Sequence, residues 1–522
     1  MPRPPKHRSV TKHKPVNEFD RRRFLSFCFT GVIPLFACGA VGPSARFTPE
    51  EFGAVGDGVE DDYDAFAKLV RAVNEAGGGI VILQPGRTYQ LDRHIAPGSP
   101  AADLVFSNCE GLTIVGNGAR IRVKGDIHRS MPAVRSLAGL TFQDCRGIVL
   151  TRLELAGGVE QSRRIDGLTE APSHGLIFRG CSNVMIDDVT VQHFAADGLY
   201  IREGPHPDPK GLRRASRDFR VRNSRFRFNA RQGLSIIQLR GGVFENCEFS
   251  YTGYVDSSAR TGPYGAHSPG AGIDIEPNRI PGGANSVDVL TGDILIRGCR
   301  LLGNVGAALV AAKYANSRRF IENVTIDSCQ IECDDGTAAG RDGLIFDVPR
   351  GMVHNCTLRM RDKTAYLGWY PQSDSDPRFL GNQVYGRNPG RNRPIFAVRP
   401  TRGSPLIEGN RFIGEHRQPK DPGGAWLVFI DNPNATLRMN SIFAPAAAFR
   451  ASASPASGSK LVPIVFARAR LMEKNTYTTD LTARDPSLAI VYAGPTRIRD
   501  EIYRGSARGP RGIIRPIHRE AS

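Results

Sequence analysis

The chain has 522 residues, of which 69 are Lys or Arg and 52 are Asp or Glu, so its formal net charge is +17. This positive balance favours anionic partners, namely acidic polysaccharide, lipopolysaccharide or nucleic acid. The sequence shows no nucleic-acid-binding module, zinc-finger spacing or basic helix, so nucleic acid is not an expected partner. The length alone suggests several domains, but repeats remove that inference because a solenoid grows along one axis.

Residues 1–45 have the pattern of an export signal. A basic start is followed by DRRRFLS and by an apolar run, Phe24 to Val41, that is too short and interrupted for a membrane span. DRRRFLS resembles the twin-arginine export motif, which implies delivery to the bacterial periplasm or cell surface. LFAC resembles a lipoprotein cleavage box, so lipidation at Cys38 and ordinary cleavage near Ala40 to Ala45 both stay open. Membrane contact is expected only through that anchor. The remaining chain has a net charge of +11.

The segment from Phe52 to Tyr89 predicts one helix followed by a short buried strand. Asp61 and Asp62 follow a Gly-rich turn and are candidates for the helix N-cap. Apolar residues then recur at helical spacing until three glycines end the helix. An amphipathic helix before many short strands is suited to cover the open end of a solenoid, whose first coil would otherwise expose its core.

This segment resembles the N-terminal part of the pectate-lyase-like superfamily, with the pattern FGAxGDGxxDD, GGG and PxGxY. Tyr63 stands where that family usually has Thr. The resemblance implies an all-β fold, a single-stranded right-handed parallel β-helix with a short N-terminal α-helical cap. We therefore expect a cap and first coil at 46–95, the β-helix at 96–500 and a basic tail at 501–522.

Turns that carry Cys or Asn recur along the chain, 27 to 66 residues apart, and are flanked by alternating apolar residues. The spacing predicts one coil per repeat, with these side chains stacked as a ladder at a single corner. Eight cysteines follow residue 45, an even number that keeps disulfides open in an exported protein. Their recurrence at one repeat position favours buried free thiols instead. The recurring residues are Cys109, Cys145, Cys181, Cys247, Cys299, Cys329, Cys356, Asn410, Asn440 and Asn475.

A second register predicts which side chains face outward. Small residues recur before apolar pairs, as in HGLIF, DGLYI, QGLSI, AGIDI, GAALV and DGLIF, and these predict an inward set of Leu, Ile, Phe, Ala and Val. The aligned small residues are Gly175, Gly198, Gly233, Gly272, Ala307 and Gly343. The inward pair of GAALV is expected to be Ala308 and Val310. The outward set forms one polar strip, comprising His174, Asp197, Tyr200, Arg202, Gln232, Ser235, Asp274 and Glu276, with Lys313 slightly beyond.

The coils that carry this strip are also the longest. The step from Gly175 to Gly198 is 23 residues, and the next four steps are 35 to 39 residues. The extra residues fall in Pro- and Gly-rich polar segments around 204–215, 252–269 and 279–291. Insertions in repeats tend to emerge on one face and to wall a binding site.

Asp274 and Glu276 are the most specific pair in the strip. They lie two apart on a strand, which places their Cα atoms about 6.6 Å apart on one face. Such carboxylates could bind Ca²⁺ through oxygen ligands, or act as acid and base across a glycosidic bond. The expected cofactor is accordingly none or Ca²⁺.

The other candidates surround that pair. Asp197 is a third carboxylate, and Arg202 or Lys313 could remove the proton next to a uronate carboxylate. Candidate catalytic residues are therefore Asp274, Glu276, Asp197, Arg202 and Lys313. Candidate substrate-binding residues are Tyr200, Gln232, Tyr264, His267 and His174.

The motifs of the polygalacturonase branch, such as Asn-Thr-Asp and Gly-His-Gly, are absent from the matching rows. The signature of alginate epimerases is absent too. The leading hypothesis is an exported enzyme that cleaves an acidic polysaccharide by pectate-lyase-like β-elimination. Alternatives are an inverting glycoside hydrolase of polygalacturonase-like fold, a uronate epimerase and a non-catalytic polysaccharide-binding solenoid. The sequence does not indicate which sugar is bound or an oligomeric state.

Overall fold

The computed structural model describes most of the chain after residue 44. Outside it lie the predicted export signal with Cys38, and also Tyr264, His267, Lys313 and most of the three predicted insertions. All described residues belong to one unit, Ala45–Ser522. The described ranges are 45–91, 104–123, 137–159, 173–205, 213–253, 270–277, 290–312, 320–333, 342–361, 363–368, 373–387, 394–415, 427–445, 461–480, 487–504 and 514–519.

The described part of the chain starts with a cap, as predicted. A 3-10 turn, Pro49–Phe52, precedes the α-helix Tyr63–Glu75, which buries Ala65, Phe66, Leu69, Val70 and Val73 against the first coils. Within the described ranges, no helix is long and apolar enough to cross a membrane.

The two cap aspartates, Asp61 and Asp62, accept hydrogen bonds from different parts of the backbone. Asp61 accepts the backbone N–H of Tyr63 at 3.0 Å, at the start of the helix. Asp62 occupies the N-cap position, but its carboxylate accepts the backbone N–H groups of Val55 at 2.6 Å and Gly56 at 3.2 Å. Its side chain therefore ties the Gly-rich turn to the helix instead of capping the first turn.

Parallel strands form the rest of the described chain. One series, called sheet 1, has 14 strands. They are Val105–Ser107, Leu137–Gln143, Ser173–Arg179, Asp197–Arg202, Gln232–Ile236, Ile273–Ile275, Leu309–Ala312, Asp342–Asp347, Thr364–Leu367, Phe396–Val398, Val428–Asp431, Leu461–Arg468, Ser487–Ala493 and Ile514–Arg519.

The other two series, sheets 2 and 3, are joined because two long strands, Arg146–Ala156 and Ser182–Gln192, run through both. The other strands of sheet 2 are Arg46–Phe47, Gly79–Ile82, Leu112–Val115, Arg217–Arg222, Arg240–Glu245, Leu290–Arg297, Phe320–Asp327, Met352–His354, Arg378–Leu380, Leu406–Glu408, Thr436–Arg438, Leu471–Glu473 and Arg497–Arg499. The other strands of sheet 3 are Asp57–Asp61, Thr88–Leu91, Arg120–Val123, Arg225–Arg227, Glu248–Ser250, Arg300–Leu302, Gln330–Cys333, Thr357–Arg361, Gln383–Arg387, Arg411–Gly414, Ser441–Ala444, Thr476–Thr479 and Ile502–Arg504.

Successive strands of each series pair in parallel with the next coil, so the chain winds as a right-handed parallel β-helix with one helical cap. The predicted fold is confirmed. Alternate residues of the strands point inward, and stacked rings such as Phe106, Phe142 and Phe178 fill the interior, with centroids 4.8 to 5.3 Å apart. Each coil thus buries its apolar face only against its neighbours.

The eight cysteines within the described ranges are free and buried, as expected, but the single ladder was wrong. Cys109, Cys145 and Cys181 precede strands of sheet 2, and Ser216 follows them in the same row. A second corner, between sheets 2 and 3, holds Cys247, Cys299, Cys329 and Cys356 and continues as Asn382, Asn410, Asn440 and Asn475. The two corners look alike in sequence because each turn needs a small, buried side chain that can form hydrogen bonds with backbone groups.

The C-terminal boundary also differs from expectation. Residues 502–504 pair with the strand Thr476–Thr479, and residues 514–519 pair with Ser487–Ala493. The β-helix therefore continues into the segment expected to be a basic tail, because the last apolar coil gains backbone partners for its open edge.

Candidate active site on the outer face of sheet 1

Glycines set the direction of the polar strip. A Cβ on Gly175 would lie 2.1 Å from Cγ1 of Val191, and one on Gly198 would lie 2.6 Å from Nδ2 of Asn229. Each glycine therefore faces the packed interior, as does the residue that follows it, such as Leu199. The alternation of inward and outward side chains therefore shifts by one residue at each glycine. The residue before the glycine faces outward, and so does the residue two positions after the glycine.

His174, Asp197 and Arg231 form the first group on this face. Oδ2 of Asp197 lies 3.0 Å from Nη1 of Arg231 and 3.3 Å from Nδ1 of His174. The His174 ring stacks on Tyr200, with centroids 4.9 Å apart. Asp197 is fully buried, and His174 and Arg231 are each 8% exposed. A buried carboxylate is thus held between a guanidinium and an imidazole.

Asp274 and Gln232 form the second group. The Gln232 side-chain amide donates a hydrogen bond to Oδ2 of Asp274. Asp274 is 3% exposed, although it lies on the outer face, where it pairs with Ser235 of the preceding strand. Burial and the nearby Glu276 carboxylate raise the pKa of Asp274 from 3.8 to about 8, and Arg231 and the Gln232 hydrogen bond act in the opposite direction. Asp274 is therefore largely protonated near neutral pH.

Arg202 and Glu276 border these groups. Both lie at the row that ends the sheet 1 strands, with Ile237 between them, so their Cα atoms are about 9.6 Å apart. The Arg202 guanidinium lies over the Tyr200 ring at 5.9 Å and is 3.4 Å from Oε1 of the buried Glu203. Burial opposes the charge of Arg202, but the nearby Tyr200 and Glu203 raise its pKa overall.

Buried polar atoms collect at this strip without internal partners. Among the residues that the structure describes, no hydrogen-bond partner reaches Oδ1 of Asp197, Oε1 of Gln232 or Oδ1 of Asp274. Buried polar atoms are normally bonded, and exceptions mark sites that take water or ligand. Together with the raised pKa of Asp274, this concentration singles out the strip as the candidate site.

The burial of the strip was not predicted from the sequence, and one register within it was wrong. Asp197, Gln232, Ser235 and Asp274 face outward but are buried, since each side chain is packed among neighbours on consecutive coils about 4.8 Å apart. In GAALV the register slips by one residue. Leu309 pairs with Ile273 and Ala311 with Ile275, so Val310 faces outward beside Asp274. Ala308, and not Ala307, occupies the row of the glycines. This coil has no glycine to mark that row, so the sequence alignment placed its small residue one position too early.

The structure brings together His174, Asp197, Tyr200, Arg202, Gln232, Asp274 and Glu276, as the sequence predicted. Tyr264, His267 and Lys313 lie outside the described residues and stay predictions. Sequence reasoning missed Arg231 and Glu203. Arg231 directly precedes Gln232 in a turn, and a basic residue before a predicted site position was the available signal.

Asp274 and Glu276 were also considered as ligands of Ca²⁺. The cation takes six to eight oxygen ligands, and the described residues contain no group of three or more His, Cys, Asp or Glu placed to hold a metal ion. Asp274 moreover accepts an N–H from Gln232 and holds a proton near neutral pH. These two carboxyls therefore do not by themselves make a fitting Ca²⁺ site.

Comparison with known proteins gives partial relatives. The chain is 30% identical over 155 residues to a capsule KN3-specific depolymerase of Klebsiella phage KN3-1, covering 29% of this chain and 18% of that protein. It is 23% identical over 202 residues to a probable polygalacturonase of Arabidopsis thaliana, covering 29% of this chain and 43% of that protein. The match thus spans less than half of either relative. No family model matches the chain.

Solved structures of similar fold are also found. The A-module of the mannuronan C-5 epimerase AlgE4 of Azotobacter vinelandii has a TM-score of 0.49 at 14% identity, covering 90% of this chain and all of that one. The tailspike protein of the E. coli bacteriophage HK620 has a TM-score of 0.47 at 13% identity, covering 87% and 78%.

Proposed function

We propose that this protein is an enzyme that hydrolyses the glycosidic bonds of an acidic polysaccharide, with Asp274 as the general acid. The observation that carries the proposal is the buried Asp274 carboxyl, whose pKa is raised to about 8 beside the Glu276 carboxylate. A general acid must hold its proton at the working pH and release it to the leaving-group oxygen.

Glu276 is the partner in this proposal. It is half-buried, two residues from Asp274, and its Cα lies about 6.6 Å from that of Asp274 along the strand. In inverting glycosidases the carboxyl groups of the acid and the base, rather than their Cα atoms, lie about 6.5–9.5 Å apart, so that a water fits between the base and the sugar. Glu276 would activate that water, and Asp197, ion-paired with Arg231, would stabilise positive charge on the sugar.

The substrate class is supported by charge and by the relatives. Without the predicted signal the chain has a net charge of +11, which attracts anionic polymers over long distances. One partial relative is named as a capsule-specific depolymerase and the other as a probable polygalacturonase. Both names support a polysaccharide substrate.

β-Elimination is the alternative, since Arg202 and Arg231 could neutralise a uronate carboxylate while a base takes the neighbouring proton. Arg202 itself is a poor base, because its pKa is raised rather than lowered. A base for elimination, or for the related epimerisation, would have to come from elsewhere, such as Lys313. Hydrolysis needs no residue beyond those that the structure brings together.

Product analysis tests the proposal. Purified protein would be incubated with a panel of acidic polysaccharides, and the products separated by chromatography. Hydrolysis gives saturated reducing ends, and elimination gives a double bond conjugated to a carboxyl group, which absorbs ultraviolet light. Unsaturated products would overturn hydrolysis. Binding of a polysaccharide with no product would overturn catalysis and favour a binding solenoid.

Export by the twin-arginine route is a separate proposal, resting on DRRRFLS. Replacing Arg21, Arg22 and Arg23 with Lys should retain the protein in the cytoplasm, because the route reads the guanidinium groups. Delivery unchanged by this replacement would contradict the proposal. Palmitate incorporation that disappears in Cys38→Ala would establish the lipid anchor.

A further inference from the structure

A second site is suggested by a pocket well away from the candidate active site. It has a volume of about 280 Å³ and lies where sheet 2 strands begin in four successive coils. Short side chains, Leu406, Thr436 and Ser404, form part of its lining. Three arginines also line it, Arg378, Arg438 and Arg470.

Two of these three guanidiniums lack an acidic partner in the part of the chain that the structure describes. Among the described residues, neither Arg378 nor Arg470 lies within 4 Å of a carboxylate, whereas Arg222 and Arg468 pair with acids of the preceding coil. Arg470 donates to Oγ1 of Thr436 at 2.9 Å, which leaves the threonine O–H to donate in turn.

Arg438 also has a hydrogen-bond donor that the described part of the protein does not use. Arg438 binds Glu408 through Nη2 at 2.9 Å, but its Nε is buried and meets no hydrogen-bond acceptor among the described residues. The pocket contains one carboxylate, Asp376, which accepts the backbone N–H of Arg350 at 2.6 Å. Since Glu408 pairs with Arg438, the guanidiniums of Arg378 and Arg470 remain against the single carboxylate of Asp376, and the lining stays positively charged. Arginine donors in a recess match the geometry of an oxyanion.

The pocket and the Glu276 end of the candidate site both lie where the chain leaves sheet 1 and approaches sheet 2. Glu276 follows the last residue of its sheet 1 strand, and the pocket opens after the turns that follow sheet 1 strands in later coils. Leu406 and Thr436 belong to the fourth and fifth coils after Asp274, which is about 19–24 Å along the axis.

We propose that the pocket lined by Arg378, Arg438 and Arg470 binds an anionic group of the same polysaccharide chain whose bond is cleaved at Asp274. This inference rests on the proposed function. A polymer long enough to reach both places gains effective concentration at the active site, whereas a short fragment does not. The pocket is therefore a distal subsite that selects long acidic polymers.

The experiment compares Arg378→Gln, Arg470→Gln and the double variant with Arg411→Gln. Arg411 is an exposed arginine on sheet 3 in the same region, outside the pocket, and serves as the matched control. Polygalacturonate and its disaccharide are the probes, the latter being too short to span the two places. Equilibrium dialysis with inorganic sulfate measures binding of a free oxyanion.

The expected result is an increase in KM for polygalacturonate of about five-fold or more in each pocket variant, with kcat unchanged. On the disaccharide, the pocket variants should have the same kinetics as the wild type. Arg411→Gln should match the wild type on both probes. Sulfate binding should fall in the pocket variants. Sulfate binding without any change in polymer KM would overturn the proposal and show a site for free anions only. An equal effect in Arg411→Gln would also overturn it, by showing general surface attraction.

Failure of the proposed function has a different signature. If polygalacturonate is bound but not cleaved, Kd takes the place of KM. A several-fold loss of affinity confined to the pocket variants would then support the distal subsite while catalysis at Asp274 fails. No difference in Kd among all variants would overturn the subsite as well.

Discussion

At the residue scale, the proposed chemistry depends on the carboxyl of Asp274. It is buried, and Gln232 fixes its Oδ2. Its pKa of about 8 means that the protonated acid is available through the neutral range and is lost above it. Activity that uses this proton should therefore have a basic limb set by Asp274.

Asp274→Asn should lower kcat by about 10²-fold or more, because the amide cannot donate a proton to the leaving group. In the wild type, kcat/KM should fall above about pH 8, as Asp274 ionises. The residual activity of the variant should lack this basic limb. A pH–rate profile on a cleaved polysaccharide measures both. A variant that keeps wild-type turnover, or keeps the limb near pH 8, would place the acid elsewhere.

The same carboxyl should also make stability depend on pH. Its folded-state pKa lies above its ordinary value, so the folded protein binds the proton more tightly than the unfolded chain. This contribution is fully present below about pH 3.8 and is lost as pH rises to about 8. Relative to the wild type, Asp274→Asn should gain stability with rising pH across that window. Denaturant unfolding at several pH values measures the difference, and a constant difference would contradict the raised pKa.

Residue-level patterns predicted which side chains meet but not how deeply they are buried. The glycine before each apolar pair correctly placed His174, Asp197 and Gln232 beside Tyr200 and Asp274. Burial of Asp197 and Asp274 depends on contacts between coils that are far apart in sequence, so alternation alone could not predict it. Arg231 escaped notice because its role follows from a contact with Asp197 across coils.

At the element scale, the corner ladder explains how identical turns are held in register. Asn440 donates from Nδ2 to the carbonyl of Ile407 at 2.9 Å and accepts the backbone N–H of Asn410 at 3.0 Å. Its own N–H goes to Asn475 at 3.0 Å. Each ladder residue thus satisfies backbone groups that the turn removes from the strand pairing. Sequence spacing predicted the stacking but merged two corners, since both use Cys in similar turns.

Asn440→Ala should destabilise the protein by about 1–3 kcal/mol, because buried backbone groups of Asn410 and Ile407 lose their partners. Ser441→Ala, at the next and less buried position, is the matched control and should stay within about 0.5 kcal/mol. Chemical denaturation of both variants gives the comparison. Equal stabilities would show that the ladder is a by-product of packing and does not hold the corner.

At the scale of the whole molecule, part of the positive charge is paired between coils. Asp187 and Arg222 occupy neighbouring positions of adjacent strands, as do Glu408 and Arg438, with N–O distances of 2.9 Å. Partly exposed pairs of this kind contribute about 0–1 kcal/mol each. The stability of the β-helix therefore comes from its apolar interior, and these pairs mainly keep like charges from facing each other along the sheets.

Because the apolar interior stabilises the fold while surface charge attracts the polymer, salt should affect substrate binding and stability to different extents. Raising NaCl from about 0.05 to 0.5 M shortens the screening length severalfold, so long-range attraction of an acidic polymer should weaken strongly. KM for the polymer should rise several-fold, and kcat should change little because Asp274, Gln232 and Asp197 are buried. The thermal midpoint should shift by only a few degrees, because the exposed pairs contribute so little. A neutral polysaccharide of similar length provides the control for viscosity and ion-specific effects. If salt lowers the thermal midpoint severely while KM stays constant, then the arginines serve the fold and not the substrate, and polymer attraction must have another source.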